Sequence, residues 1–312
     1  MVDTRLPRRI TLIMNGLAGH HDASAPPLSE QLIAFYQAAG CEVALYDAAE
    51  PSDLSRLTTA ALLSLRHRAG GVVVAGGDGT INTVAQAMLH SAVPLTIIPC
   101  GTFNYVARAL HIPLDPLAAA ALTLDGVIRA VHVGTVNEYV YLNNASIGLY
   151  PHLIEQRETD KGRFGRYQSV AMLSGFAVLM RQHQKMRLKM IVDGQTEKIE
   201  TPMVFFGNNQ LQLADMHLAL ADCAAAGRLA AVAMTDLNRI QVLSLIARMQ
   251  LGTFEQAPQV RRFCADCIRI ESRRKYMKLA IDGEIVRVKT PLHFQVARHA
   301  LQVMTPHASA SV

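Results

Sequence analysis

The sequence predicts an α/β fold: an N-terminal domain built on a parallel sheet, followed by a C-terminal β-sandwich-like domain. Three observations carry this reading. Short apolar runs alternate with helical periodicity through the first third of the chain. From about residue 131 the pattern changes to strands joined by short turns. A glycine-rich turn joins a buried strand directly to a helix, at Gly76 to Asn82.

Taken in order, the apolar run Ile10 to Met14 is followed by a helix over Leu28 to Ala39, closed by Gly40, and by a strand over Glu42 to Tyr46. Leu54, Leu57, Ala61 and Leu65 then recur on one helical face. The strand Val72 to Ala75, a helix over Ile81 to Leu89 and the strand Pro94 to Ile98 complete the alternation, and a helix over Pro116 to Leu124 ends it. Past this point Ala130 to Val136, Tyr139 to Asn143, Arg187 to Val192 and Glu197 to Thr201 read as strands, with helices around Tyr167 to Arg181 and Ile240 to Met249. Lys189 to Thr201 (KMIVDGQTEKIET) echoes Lys278 to Thr290 (KLAIDGEIVRVKT), each reading as a hairpin that turns at Asp-Gly.

Composition bounds the function. Half of the 312 residues are apolar, enough for a large core and about two domains. No apolar run approaches the ~18 residues of a membrane span, so membrane contact is expected to be peripheral. Arg5, Arg8 and Arg9 precede only the short run Ile10 to Met14, without a small-residue cleavage site, which predicts a cytoplasmic chain lacking a signal peptide. Five scattered cysteines predict reduced thiols, and the pair Cys264 and Cys267 lacks the further ligands of a zinc site. A net charge of +5 favours an anionic partner. With no nucleic-acid motif and no Trp for stacking, nucleic acid ranks last. Lys185, Arg187 and Lys189 alternate with Met186, Leu188 and Met190, as on the solvated face of an edge strand. The basic run Arg261, Arg262, Arg273, Arg274, Lys275 and Lys278 suits a membrane-borne substrate and a solvated strand face equally.

The chemistry is concentrated in Gly76-Gly77-Asp78-Gly79-Thr80-Ile81-Asn82. Glycines let the backbone approach a ligand closely, and the amides at the start of the following helix attract phosphate. Asp78 in their midst suits magnesium or a hydroxyl group; its plain structural alternative is a helix cap. Neither GxxxxGK[ST] nor GxGxxG occurs in this loop.

With Pro99-Cys100-Gly101-Thr102-Phe103-Asn104-Tyr105-Val106-Ala107-Arg108 (compare PxGTxNDFAR), Asn15-Gly16-Leu17-Ala18-Gly19 (compare NPxSG), Ala145 to Pro151, Arg157-Glu158, Lys161 to Gly165 and Asp282-Gly283-Glu284, the sequence resembles the diacylglycerol kinase catalytic family. That family includes sphingosine kinases and is related to NAD kinases, which lack the second motif. The resemblance implies a nucleotide-binding domain over residues 1–130, to which residues 294–312 return, and an acceptor domain over 131–293. It implies ATP and Mg2+, with ATP held by Asn15, Gly76, Gly77, Asp78, Gly79, Thr80, Asn82, Gly101 and Thr102. Asn104, Tyr105 and Arg108 then line the acceptor site, and Asp78 holds the metal together with ATP. Asp78, Asp282 and Glu284 are the expected catalytic carboxylates, Glu284 or Asp282 accepting the hydroxyl proton.

The expected reaction is phosphorylation of diacylglycerol or a similar lipid at the inner membrane surface. A kinase for a non-lipid alcohol and a catalytically weakened nucleotide-binding regulator are the alternatives, and a homodimer is left open. Three departures from the family pattern bear on this. Thr83 stands in place of glutamate and Tyr105 in place of aspartate. Ala226, in Ala221 to Leu229, replaces a carboxylate of the loop that the family uses for a structural magnesium, so a second metal is not expected here.

Overall fold

The computed structural model describes residues 9–15, 26–66, 69–149 and 185–307, apart from 217, 236–240, 242–243, 246–247, 249–252 and 254–255. The helix expected over Tyr167 to Arg181 lies outside these residues, as do Gly16 to Gly19, Tyr150-Pro151, Arg157-Glu158 and Lys161 to Gly165. Of the helix expected over Ile240 to Met249, only Gln241, Ser244, Leu245 and Arg248 are described, all helical. The chain divides into two compact units, one of residues up to Val133 with those from Arg298 on, the other Gly134–Ala297.

In the first unit β1 (Arg9–Asn15), α1 (Leu28–Ala38), β2 (Glu42–Ala48), α2 (Leu54–Ser64), β3 (Gly70–Gly76), α3 (Asp78–Met88) and β4 (Leu95–Pro99) alternate along the chain. Their strands are parallel, in the order β2-β1-β3-β4. Ile10, Leu12 and Ile13 of β1 and Val72, Val73 and Val74 of β3 have no exposed surface. Burial on both sheet faces is why these strands read as unbroken apolar runs, whereas outer β2 mixes exposed and half-buried positions.

Two short helices follow, α4 (Tyr105–Ala109) and α5 (Pro116–Asp125). Pro116 starts α5 where an amide has no partner to lose, and the Asp115 carboxylate accepts the Ala118 amide at 2.8 Å. The fully buried Tyr36 hydroxyl ties α1 to α5 through Thr123 Oγ1 at 2.8 Å, and Thr123 in turn bonds Thr96 of β4. Burial pushes the Tyr36 phenol above its ordinary range.

The second unit is antiparallel. It contains β5 (Val127–Val136), β6 (Tyr139–Tyr141), β7 (Asn144–Gly148), β8 (Met186–Val192), β9 (Gln195–Thr201) and β10 (Met203–Gly207). Helices α6 (Gln210–Asp215) and α7 (Ala221–Ala225) precede β11 (Leu229–Met234), β12 (Val260–Ala265), β13 (Cys267–Glu271), β14 (Tyr276–Ile281), β15 (Glu284–Lys289) and β16 (Leu292–Thr305). One layer runs β12-β11-β10-β7-β14-β15, and β16, β13, β8 and β9 pair in that order in the other. Their inner faces share a core in which Ala145, Ile147, Phe206 and Leu279 meet Met190, Ile268, Ile270 and Phe294, and the Phe206 and Phe294 rings stack 3.6 Å apart. β5 and β16 each run from one unit into the other, and late in β16 Val303 pairs in parallel with Leu95 of β4. A helix-covered parallel sheet followed by an antiparallel sandwich is the predicted fold class.

The expectation of reduced thiols is corrected at one place. Cys223 of α7 and Cys264 of β12 form a disulfide, 41 residues apart in sequence with Cα atoms 5.9 Å apart. No local spacing announces it, because the two meet only when β11 lays Ala230 beside Cys264. Cys267, the neighbour in the CxxC pattern, takes no part. Reduction is expected to raise the titratable thiols of the denatured chain from three (five cysteines less two) to five. It should also lower stability by about 2–4 kcal/mol, read by urea denaturation with and without reductant. Identical thiol counts in both states would contradict the bridge.

Candidate active site

The strand order β2-β1-β3-β4 means that the chain leaves β1 toward one side and returns to the other, which opens a crevice at the carboxyl ends of β1 and β3. The residues singled out in the first unit gather at this edge. Asn15 ends β1, one residue beyond Met14, which pairs with Ala75. Gly76 ends β3 and pairs with Pro99, the end of β4.

The helix after β3 begins earlier than its periodicity suggests, at Asp78 rather than Ile81. Gly77 is its N-cap, extended and without a capping side chain, so the amides of the first turn open toward the sheet edge. A Cβ on Gly76 would lie 2.6 Å from Thr80 Cβ, so the strand end runs tight beneath that turn. Asn82 lies one turn further along the helix. Thr83 donates to the Gly79 carbonyl at 3.1 Å, a bond within the helix.

A second loop meets the first at Gly101. A Cβ there would come within 2.9 Å of Gly77 Cα and 2.9 Å of Asn104 Oδ1, while a Cβ on Gly77 would find only Gly101 Cα, at 3.5 Å. The contact is therefore glycine on glycine, and the second loop is the one that needs glycine. Gly101→Ala is expected to cost about 1–3 kcal/mol and to weaken nucleotide binding, with Gly77→Ala near neutral in stability. Thermal melts and calorimetric titration check this, and equal melting of the two variants would refute it.

Asn104, expected at the acceptor site, braces the second loop. It is buried in left-handed conformation (φ 49°), its Nδ2 donates to the Gly101 carbonyl at 2.8 Å, and its Oδ1 accepts the Gly101 amide at 2.9 Å. Thr102 beside it is exposed.

Asp78 joins the two loops. Its carboxylate accepts the amides of Tyr105 and Val106, both at 3.2 Å, so it caps α4 rather than its own helix. Two single bonds to two oxygens leave a carboxylate further lone pairs for a cation or hydroxyl. Tyr105, where the family has aspartate, stacks on Phe103 with centroids 5.8 Å apart, and the Arg108 guanidinium lies 5.7 Å from the Tyr105 centroid. Burial pushes the Cys100 thiol up, against a smaller lowering by the Gly76 backbone, which leaves it a poor nucleophile.

In the second unit Asp282 and Glu284 flank Gly283 at the β14–β15 turn. Asp282, one of the expected catalytic carboxylates, accepts the amides of Leu142 (2.7 Å), Asn143 (2.9 Å) and Asn144 (2.8 Å). The echoing hairpin uses the same device, since Asp193 accepts the amides of Asp266 (2.9 Å) and Cys267 (3.0 Å). Both aspartates are left-handed, with φ 45° and 46°, and both precede a glycine of positive φ.

Around the Asp282 clamp lies an asparagine knot that sequence reasoning missed. The Asn143 carbonyl accepts the amides of Asn208 and Asn209, Asn209 Nδ2 donates to Asn143 Oδ1 at 2.8 Å, and Asn144 Nδ2 donates to Gln212 Oε1 at 2.8 Å. Its only sequence signal is a pair of Asn-Asn doublets at strand boundaries. Glu284 opens β15, exposed, opposite Ile281.

Among the described residues no three His, Cys, Asp or Glu side chains cluster to hold a metal. A divalent cation held at Asp78 would need oxygen ligands of another kind, such as those of a phosphate. Ala226, at the end of α7, offers no carboxylate.

Residues 9–136 match the diacylglycerol kinase catalytic domain, and residues 155–305 match the YegS C-terminal NAD kinase beta sandwich-like domain. A Pseudomonas aeruginosa (strain UCBPP-PA14) protein named "Probable lipid kinase YegS-like" is 36% identical over 143 residues, 45% of this chain and 44% of that protein. The match thus spans less than half of that relative's length. A diacylglycerol kinase of Staphylococcus saprophyticus is 25% identical over 276 residues, 86% of this chain and 87% of that one. The crystal structure of a diacylglycerol kinase from Bacillus anthracis has the same fold, with TM-score 0.66 and 19% identity over 96% of this chain and 97% of that one.

Proposed function

The chain belongs to the diacylglycerol kinase catalytic domain family, and from that premise we propose that it is an ATP-dependent kinase that phosphorylates a hydroxyl of diacylglycerol or a similar lipid. The observation that carries the reading is the meeting of Gly77 and Gly101 at the sheet edge, with Asp78 bonded across both loops. Backbone without Cβ atoms beside first-turn amides fits a polyphosphate. Gly76, Gly77, Gly79, Thr80, Asn82, Gly101 and Thr102, with Asn15 at the end of β1, would hold ATP. Magnesium bound with it would neutralise phosphate charge.

The chain's own residues do the rest. Asp78 turns its remaining lone pairs to the cation or to the acceptor hydroxyl. Glu284 accepts the hydroxyl proton, and Asp282 fixes the turn that carries it. Tyr105 and Arg108 face the acceptor with an aromatic ring and a cation in place of a carboxylate, a setting that favours an acceptor with an anionic or polar head. The lipid would be met peripherally, at the inner membrane surface; among the described residues no helix is long and apolar enough to cross a membrane.

Incubation with labelled ATP, magnesium and a total lipid extract tests this, with label expected in the phosphorylated form of a diacylglycerol-like lipid. Label confined to a water-soluble alcohol would move the acceptor class. ATP binding without transfer to any species would favour the regulatory reading.

A further inference from the structure

We propose that the base of the β14–β15 hairpin is the surface by which this protein docks on an anionic lipid bilayer. The inference builds on the lipid-acceptor reading and names where the chain meets the membrane.

Between Arg273 and Lys289 the sequence holds six cations, Arg273, Arg274, Lys275, Lys278, Arg287 and Lys289, against two carboxylates. Six less two gives +4 within 17 residues, out of +5 for the whole chain. The two carboxylates, Asp282 and Glu284, stand at the turn, and the cations gather toward the other end. Tyr276 pairs with Lys289 and Lys278 with Arg287, and all four are exposed, so the period of two puts them on one face. Arg273 to Lys275 continue the charge beyond the strand on fixed backbone: Thr290 Oγ1 donates to the Arg274 carbonyl at 2.6 Å, and the Thr290 amide to that of Lys275 at 3.0 Å.

Several cations elsewhere in this unit meet carboxylates. Arg187 pairs with Glu200, Lys189 with Glu271, Arg228 with Asp193 and Arg261 with Glu197. Arg273, Arg274, Lys275, Arg287 and Lys289 form no ion pair among the described residues. Two of them flank an aromatic ring instead: Arg287 Cζ lies 4.7 Å and Lys275 Nζ 5.9 Å from the Tyr276 centroid, and Tyr276 is 40% exposed.

β15 ends its layer, and protection of an open edge would account for Arg287 and Lys289. It does not call for three further cations before β14. A cation cluster on a fixed backbone around an exposed tyrosine suits an interface whose headgroups are anionic and whose boundary accepts an amphipathic ring. Nucleic acid is the other polyanion, but a lone tyrosine offers no platform for successive bases.

The chain contains no Trp, so Tyr276→Trp gives a single reporter. Its emission is expected to shift to the blue on adding phosphatidylcholine vesicles that contain phosphatidylglycerol, and to stay unchanged with phosphatidylcholine alone. Leu63→Trp, on α2, should not shift with either. In co-sedimentation, Arg274→Glu/Lys275→Glu/Arg287→Glu should lose vesicle partitioning on the order of 100-fold. The charge-matched Arg56→Glu/Arg66→Glu/Lys198→Glu should stay within a few-fold of wild type.

Equal losses in the two triple variants, a shift with neutral vesicles, or tighter binding to single-stranded RNA than to vesicles would overturn the proposal. Should the first triple variant fail to fold, the Trp reporter decides alone, its shift expected to fade as salt is raised. Binding is read without nucleotide or acceptor, so failure here leaves the kinase reading intact. A vesicle-bound protein that transfers no phosphate would count against that reading only.

Discussion

Asp282→Ala is expected to lower the stability of this protein by about 3 kcal/mol or more, whereas Asp193→Ala should cost about 1 kcal/mol. The difference comes from the partners. Asp282 satisfies three amides, of Leu142, Asn143 and Asn144, all within buried residues, and a buried amide left unpaired costs about 1–3 kcal/mol. Asp193 satisfies two, of Asp266 and Cys267, both exposed, where water replaces the carboxylate, and its ion pair with Arg228 is solvent-exposed and worth little. The backbone contribution cancels, because both aspartates have φ near 45° and alanine is equally strained at either place. Chemical denaturation of the two variants reads the difference. Equal costs would mean that the three-amide clamp is not what holds the Asn143 and Asn208 segments together. A folded Asp282→Asn variant with near wild-type turnover would separate its positioning role from proton transfer.

This contrast also shows how far the site can be read from sequence. Asp-Gly at a hairpin turn is a local signal, and both turns are legible from it. What the carboxylate does next depends on which segment tertiary packing brings alongside, and the partners of Asp282 lie about 140 residues away. Motif order alone therefore groups Asp282 with Glu284. The Asn143 and Asn208 doublets fail to register for the same reason, since their bonds cross 66 residues without a period.

β1 and β3 are legible because burial on both faces forces apolar runs. The start of α3 is not, because glycine and threonine in its first turn lower helix propensity and delay the periodic signal to Ile81. Asp78 illustrates both sides. Its placement between glycines marks the site, but its bonds to Tyr105 and Val106 follow only from the parallel pairing that sets Gly76 beside Pro99.

Turnover is expected to separate Glu284 from Asp78 by what each variant does to the fold. Glu284 is exposed at the first residue of β15, so Glu284→Gln should leave the melting temperature and ATP binding nearly unchanged. Loss of a proton-accepting group typically lowers the rate on the order of 100- to 10,000-fold, and that loss should appear in kcat on the true acceptor. Gln195 occupies the matching place in the echoing hairpin, first in β9 and paired with Val192 as Glu284 is with Ile281, so Gln195→Ala should be silent.

Asp78→Asn should lose turnover as well, but with a second signature. Its new amide turns one donor toward the Tyr105 or Val106 N–H, breaking one of two bonds and costing about 1–2 kcal/mol, so its melting temperature should fall. If Asp78 also shares the magnesium, activity should need more of the ion. Should Glu284→Gln turn over at close to the wild-type rate, proton acceptance would pass to Asp282 or Asp78, and Glu284 would keep only a structural role at the turn.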